Sequence, residues 1–308
     1  LQSMDYWNIA STGNAADFGD MTSYGTSEGA SCGSSTVRAV IAHDRTGSAS
    51  PSANTSTQEQ IIISSQGNSA NFGNISANGE NSSRQGGSNS IRGFCMGSFN
   101  SYGSSVPDTF ATNDILFYSL ASEGNTADFG DLTYACYGSG TSTGSSTRMV
   151  HAGGSYYGGS PQTTRCRNII DYWSIASTGN ATDFGDLSTA RDLRSTISNG
   201  VRSVMGGGQN APADQGAVSA TKENIIEYVT IASTGNVTDF GNLTVARSNN
   251  GGTSSSTRGV FMGGNDGSAS NVIDYITIAS TSNATDFGDL NVAKQHGGSA
   301  SDGHGGLQ

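Results

Sequence analysis

Positive charge is scarce in this chain. Lys plus Arg number 14 against 25 Asp plus Glu, a formal net charge of −11 at pH 7. So few cations cannot neutralise a row of phosphates, and no direct nucleic-acid binding is expected. Long apolar runs are equally missing: none approaches the ~18 residues that span a bilayer, so no membrane insertion is expected. No charged-then-apolar leader opens the chain, and Leu1 stands where a start methionine would. The expectation is a signal peptide that is absent or already removed, in a processed chain or one piece of a longer one. Histidine is limited to His43, His151, His296 and His304, without metal spacing of the His-x-Glu-x-x-His kind. Cysteine is limited to Cys32, Cys95, Cys136 and Cys166. Four cysteines allow three pairings and the sequence favours none, so isolated buried or half-buried thiols are expected.

What the chain does have is 44 glycines and abundant Ser, Thr and Asn, with only 4 prolines and 33% hydrophobic residues. That composition suits either disorder or a fold of short strands and turns. Charged residues make up only 13%, and 11 Tyr, 11 Phe and 2 Trp recur at regular places, which favours the fold.

One phrase returns six times. It reads DYWNIASTGNAADFGDM around Phe18, QIIISSQGNSANFGNI around Phe72 and FYSLASEGNTADFGDL around Phe129. It returns as DYWSIASTGNATDFGDL around Phe184, EYVTIASTGNVTDFGNL around Phe240 and DYITIASTSNATDFGDL around Phe287. The phenylalanines are 54, 57, 55, 56 and 47 residues apart. A period of this size points to propeller blades or another repeat array.

Each copy reads as strands. Ile273 to Ala279 is β-branched and aromatic, Thr-Gly-Asn or its equivalent makes a turn, and a short strand follows Asp-Phe-Gly-Asp. A Gly/Ser/Thr tract then leads to a second signature at Arg38, Arg92, Arg148, Arg202 and Arg258. Two residues beyond each arginine stand Val40, Phe94, Val150, Val204 and Val260; four beyond stand Ala42, Met96, Ala152, Gly206 and Met262. This two-residue period marks a strand packed on a neighbouring sheet. No stretch reads as a useful helix, so the chain is all-β. Three or four strands in each of six units fit a six-bladed β-propeller forming one domain over residues 1–308. A parallel β-helix competes, but its coils are about half this length.

The ends carry the same arithmetic. The chain starts at Met4-Asp5-Tyr6, inside a repeat, and finishes on Ser301-Asp-Gly-His-Gly-Gly-Leu-Gln308, which aligns with the Ser-Thr-Arg signature and puts His304 in the arginine column. One blade is expected to be assembled from N- and C-terminal strands, which removes two open sheet edges. A single unit holds too few apolar positions to offset the entropy of ordering it, so stability must come from contacts between units.

Two resemblances attach to these residues. GVFMGG followed by NVIDYITI is similar to the kelch repeat, with its double glycine and a tyrosine in the next strand. A kelch unit places a tryptophan soon after that tyrosine, whereas here Tyr275 is followed twelve residues on by Phe287. More fully, the phrases IDYITIASTSNATDFGDL and SSTRGVFMGG and the ending HGGLQ resemble repeat proteins encoded by marine bacteriophages, including those of cyanobacteria. That resemblance covers essentially the whole chain. It implies a kelch-like propeller in a virion structural protein of the tail, a fibre or the capsid exterior, assembled in a bacterial host cytoplasm, where free thiols persist. It implies no mapped active site. Gln60 to Asn74 and the pair His43-Asp44 depart most from the pattern, and distorted blades are expected there.

Asp-Phe-Gly is also the magnesium motif of kinases, but it occurs five times, at Asp17, Asp128, Asp183, Asp239 and Asp286, with Asn71 in the sixth copy and no other kinase part. Repetition makes it a structural turn: Phe as plug, Gly for its φ, Asp for local N–H groups. Carboxylate pairs such as Asp17 and Asp20 give a lesser Ca²⁺ alternative; otherwise no cofactor is expected. The arginines and His304 are read as structural cations bonding carboxylates or carbonyls between blades, with a cationic ring for an anionic ligand as the lesser alternative. Tyr156 and Tyr157 near His151 raise a galactose-oxidase-like or other carbohydrate-active enzyme as the minor functional reading. The sialidase turn Ser-x-Asp-x-Gly-x-Thr-Trp is missing. Asn180, Asn236 and Asn283 match the glycosylation pattern, but side-chain bonding in the repeated turn explains them.

No catalytic residue is assigned, and function is expected to lie in loops. Gly264 to Tyr275 is short, while Gly154 to Tyr172 and Gly208 to Tyr228 are longer. Ser155–Thr164 and Gln209–Thr221 are therefore the expected contact face, with Tyr156, Tyr157, Gln162, Gln209, Asn210 and Gln215 as candidate binding residues. Their expected partners are other virion proteins or host-surface glycans.

Overall fold

The computed structural model describes residues 3–22, 30–43, 57–75, 84–99, 111–158, 163–193, 195–211 and 220–303. Among them no helix occurs, and every strand pairing is antiparallel. The antiparallel pairing is incompatible with a parallel β-helix.

β1 (Ser3–Tyr6) pairs with β2 (Ala16–Asp20). β3 (Ala30–Ser34), β4 (Arg38–His43), β5 (Thr57–Ile62) and β6 (Ala70–Asn74) form a four-stranded sheet in that order. β7 (Gln85–Ser88), β8 (Arg92–Met96), β9 (Thr112–Ser119) and the first part of β10 (Ala127–Gly144) repeat it. The last part of β10 runs on into the next sheet, beside β11 (Arg148–Gly158). β12 (Thr163–Cys166) folds back on the far end of β11, whereas β13 (Ile169–Ser174) and β14 (Thr182–Asp186) continue the sheet. β15 (Arg191–Asp192) stands outside that sheet. β16 (Thr196–Ser198), β17 (Arg202–Gly206), β20 (Ile225–Thr230) and β21 (Thr238–Asn242) form the next four-stranded sheet. Here β18 (Gln209–Asn210) and β19 (Thr221–Lys222) make the excursion with β15. β22 (Gly251–Ser254), β23 (Arg258–Met262), β24 (Ser270–Thr277) and β25 (Thr285–Lys294) complete the series.

The repeated phrase acquires a physical meaning in the last hairpin of each unit. Gly19 pairs with Met4 and Asp17 with Asp5, so Phe18 is the extra residue of a β-bulge. The same slip brackets Phe72, Phe129, Phe184, Phe240 and Phe287. A bulge re-aims its side chain, and all six rings are buried. The motif is thus a kink in a strand rather than the expected turn. Its aspartates point outward, exposed. Its glycine is demanded twice over. Five of the six hold φ between +145° and +153°, and a Cβ on any of them would lie 2.1 to 2.5 Å from a backbone oxygen of the next unit.

Over the four residues after its arginine, each of β4, β8, β11, β17 and β23 is buried on both faces. Val40, Phe94, Val150, Val204 and Val260 are all buried to 1% or less. The apolar clusters each draw on two consecutive units. One joins Phe94, Ile115 and Phe129 to Met149, Trp173 and Ile175; another joins Val260, Phe287 and Leu290 to Trp7, Ile9 and Ala15. No unit buries its core alone, as the sequence arithmetic requires.

The second repeat is not distorted. Arg38 faces Ile62 across β4–β5 as Arg258 faces Thr277 across β23–β24. Its departure is local: Gln60 replaces the aromatic residue of the other copies, so Arg38 stacks on Phe72 instead. Asp44 and His304 lie outside the described residues.

Candidate functional site

Three places gather the polar groups, and each follows from how one unit docks on the next. The first is the turn after the third strand. The side-chain oxygens of Asn14, Asn68, Asn125, Asn180, Asn236 and Asn283 accept the backbone N–H of Asp289, Asp20, Asn74, Asp131, Asp186 and Asn242, all at 3.0–3.1 Å. Each bond joins a unit to its successor, and one joins the 285–294 strand to the first unit. The residue after each asparagine adds a backbone bond, as from Ala181 N–H to Asp131 O at 2.7 Å. The apparent glycosylation sites are therefore side-chain caps.

The arginine column lies beside these caps. Nη1 of Arg38, Arg92, Arg148, Arg202 and Arg258 donates to the carbonyls of Leu120, Ile175, Ile231, Ile278 and Ile9, each in the following unit. Each guanidinium also covers an aromatic ring of its own unit, Arg148 over Tyr172 at 4.5 Å for example. Both fork and face are committed to packing.

The second place is where the first strands of the units converge. Ser88 Oγ donates to Ser34 O, Ser34 Oγ to Ser301 O, Ser301 Oγ to Ser254 O, Ser254 Oγ to Ser198 O and Ser198 Oγ to Gly144 O. Gly144 has no hydroxyl with which to continue toward Ser88. A polar cavity of about 90 Å³ lies here, lined by all these segments. It has room for a few waters but not for a sugar ring.

The third place is the buried layer between consecutive units. Arg247 pairs with Asp274 of the next unit at 2.9 Å, and Arg191 pairs with Glu227. Lys294 reaches Asp5 at 2.7 Å. Burial lowers the pKa of Arg191 and Arg247, against the opposing pull of their carboxylates. At the β10 junction Cys136 stands at the position that Arg191, Arg247 and Lys294 hold in their units, seven residues after the bulge phenylalanine, and Asp171 is fully buried. Arg191 Nη1 donates to Gly207 O and Ile225 O; Tyr134 Oη occupies the same place, donating to the equivalent Gly153 O at 2.5 Å and lying 3.3 Å from Ile169 O. A neutral phenol thus replaces a guanidinium. Asp171 keeps two bonds from Thr133, and burial raises its pKa.

His151 sits 3.1 Å from Tyr134 Oη through Nδ1 and 4.0 Å from Cys136 Sγ through Nε2. With the phenol proton on Gly153, the imidazole carries its own on Nδ1 and faces the thiol with a bare nitrogen. Burial lowers His151 to about 3. Burial, then Asp171 and Asp114, push the Cys136 thiol up. Both shifts oppose a thiolate–imidazolium pair, so the dyad stays neutral and sealed from solvent. Sequence reasoning missed this cluster. Its signal was a column reading Arg191, Arg247 and Lys294 but Cys136.

The candidate loop residues divide. Gln162 and Gln215 lie outside the described residues, as does the side chain of Tyr157. Tyr156 is buried, its ring 3.8 Å from the Arg167 guanidinium, which leaves it little surface for a ligand. Gln209 and Asn210 are half-buried on β18. The two excursions touch: Cys166 N–H donates to Ala211 O at 2.8 Å and Cys166 Sγ to Gln209 O at 3.5 Å. Among the described residues no group of three His, Cys, Asp or Glu side chains is placed to hold a metal. The four cysteines are free thiols. No family model matches the chain, and no curated protein matches it.

Proposed function

We propose that the chain is a six-bladed, kelch-like β-propeller closed by its terminal segments, working as a non-enzymatic bacteriophage virion protein of the tail, a fibre or the capsid exterior. The observation that carries the ring is the asparagine cap, made six times with one geometry, the sixth running from Asp289 N–H back to Asn14 Oδ1. The serine chain supports it through Ser34 Oγ and Ser301 O at 2.8 Å. The virion role rests on the phage-like phrases around Phe287 and Arg258. It is supported by a design in which nearly every repeated polar group serves packing, leaving the long connections to make contacts. Those connections, Ser155–Thr164 and Gln209–Thr221, would meet other virion proteins or host-surface glycans.

Deleting residues 299–308 tests the ring. It removes Ser299 and Ser301 from the hub and should lower the melting temperature of the whole domain; an unchanged transition would sink closure. Density for the chain in a map of intact particles tests the virion role, and its absence from purified particles rejects that role.

A further inference from the structure

The bulged strand is the last strand of each unit, and in five of the six it carries an exposed aspartate at its second position: Asp17, Asp128, Asp183, Asp239 or Asp286. β6 breaks this rule. Asn71 replaces that aspartate, and Asn74 replaces the second carboxylate that Asp20, Asp131, Asp186 and Asp289 supply elsewhere; both asparagines are exposed. Among the described residues the exposed positions of the β3–β6 sheet carry no charge at all. Arg38 is half-buried and bonded to Leu120 O, and Glu59 is buried. The same sheet shows apolar side chains to solvent. Ile62 is 41% exposed where the other units hold Asn8, Ser119, Ser174, Thr230 or Thr277. Val37 is 57% exposed in the adjoining turn, its carbonyl accepting Ile63 N–H at 2.9 Å. Ile91 of the next unit, 63% exposed, is tied to the same place: its carbonyl accepts Leu120 N–H at 2.8 Å, and Leu120 O accepts Arg38 Nη1 at 3.2 Å. Scattered apolar residues are ordinary on a surface, but an apolar group on an uncharged sector marks a contact.

We propose that this sector, carrying Val37, Ile62, Asn71 and Asn74, joins two copies of the chain across a two-fold axis. Charge selects the occupant. A cationic partner would gain from aspartates at positions 71 and 74, whereas an acidic partner gains from their loss, and a second copy of this chain brings a net charge of −11. A two-fold axis sets one patch against itself, so any carboxylate there would face its own copy. The contact is made by side chains and not by strand addition. Phe72 O accepts Gly124 N–H, Asn74 N–H reaches Asn125 Oδ1 and Asn74 O accepts Thr126 N–H, all at 3.0 Å, so the next unit already fills the edge of β6.

The test is sedimentation equilibrium of the full chain at concentrations up to about 100 μM, where a dimer should form. I62S copies Ser119 and Ser174, and N71D with N74D copies Asp128 and Asp131, so the fold tolerates both changes and melting temperatures should hold. Each should weaken the dimer about tenfold or more, because every substitution counts twice in a two-fold contact. Added salt should restore the N71D/N74D dimer in part and leave the I62S variant unchanged. A wild-type chain that stays monomeric overturns the proposal, as does a dimer that both variants leave intact. Capture of a different virion protein by a monomeric chain, lost in I62S, reassigns the sector and rejects the second copy.

Discussion

The junction across β10 and the one between β17–β21 and β22–β25 do the same mechanical task with different chemistry. In the second, Arg247 and Asp274 are both 0% exposed and paired at 2.9 Å, and Thr244 adds a hydroxyl bond at 2.6 Å to the same carboxylate. In the first, Thr133 makes the equivalent bond at 2.7 Å, but Tyr134 and His151 stand where charge and an apolar side chain stand elsewhere. A continuous strand, β10, joins the two units there. The comparison teaches that a buried carboxylate is tolerated in two ways: by a cation, or by neutral hydrogen bonds that let its pKa rise.

The charged junction should be the easier to break. Arg247→Met leaves Asp274 buried and uncompensated, and urea unfolding should register a loss of about 3–5 kcal/mol. Adding Asp274→Leu should restore most of it; a double variant as weak as the single would show that the pair itself is needed.

The neutral junction should fail in acid instead. A His held at about 3, against an unfolded value near 6.5, binds its proton more readily in the unfolded chain. Stability is therefore intact above about pH 6.5 and falls as the pH drops toward 3, by a few kcal/mol. Asp171 acts oppositely, because its raised pKa favours the folded state as acid protonates it. His151→Met, which copies Met205 of the next unit, should flatten the acid limb of a stability–pH profile. An unaltered limb would remove His151 from the account.

Features common to both junctions should respond alike. Gly241→Ala places a Cβ 2.4 Å from Ser282 O at φ +145°, and Gly130→Ala does the same to Gly179 O at φ +153°. Each should cost about 1–3 kcal/mol by thermal denaturation. A large difference between them would mean that one junction yields. Smallest of all, Asn283→Ala and Asn180→Ala should each lose about 1 kcal/mol by removing one cap. Amide hydrogen exchange at Asn242 and Asp131 respectively would localise the effect.

Much of this was legible beforehand. The two-residue period after each arginine marked the buried strand, and repetition alone turned Asp-Phe-Gly from a catalytic suspect into a structural one. The bulge was not legible, since a turn and a bulge use the same residues and differ only in what pairs across the hairpin. Tyr156 was misjudged for a related reason: beside a glycine-rich loop it reads as exposed, but the return strand β12 and Arg167 cover it. The expected distortion at Gln60 did not arise because Phe72 took over as the surface for Arg38.

By itself the sequence determined an all-β chain of six like units, because strand period, turn residues and spacing are local properties that each copy states again. Only the tertiary structure decided that Asn236 caps Asp186, that Tyr134 does for Asp171's junction what Arg191 does for Glu227's, and that Cys166 of one excursion meets Ala211 of the other. Those pairings join residues about 20 to 50 positions apart, mostly in successive copies. A bond of that kind depends on how two sheets pack, which no single copy of the repeat encodes.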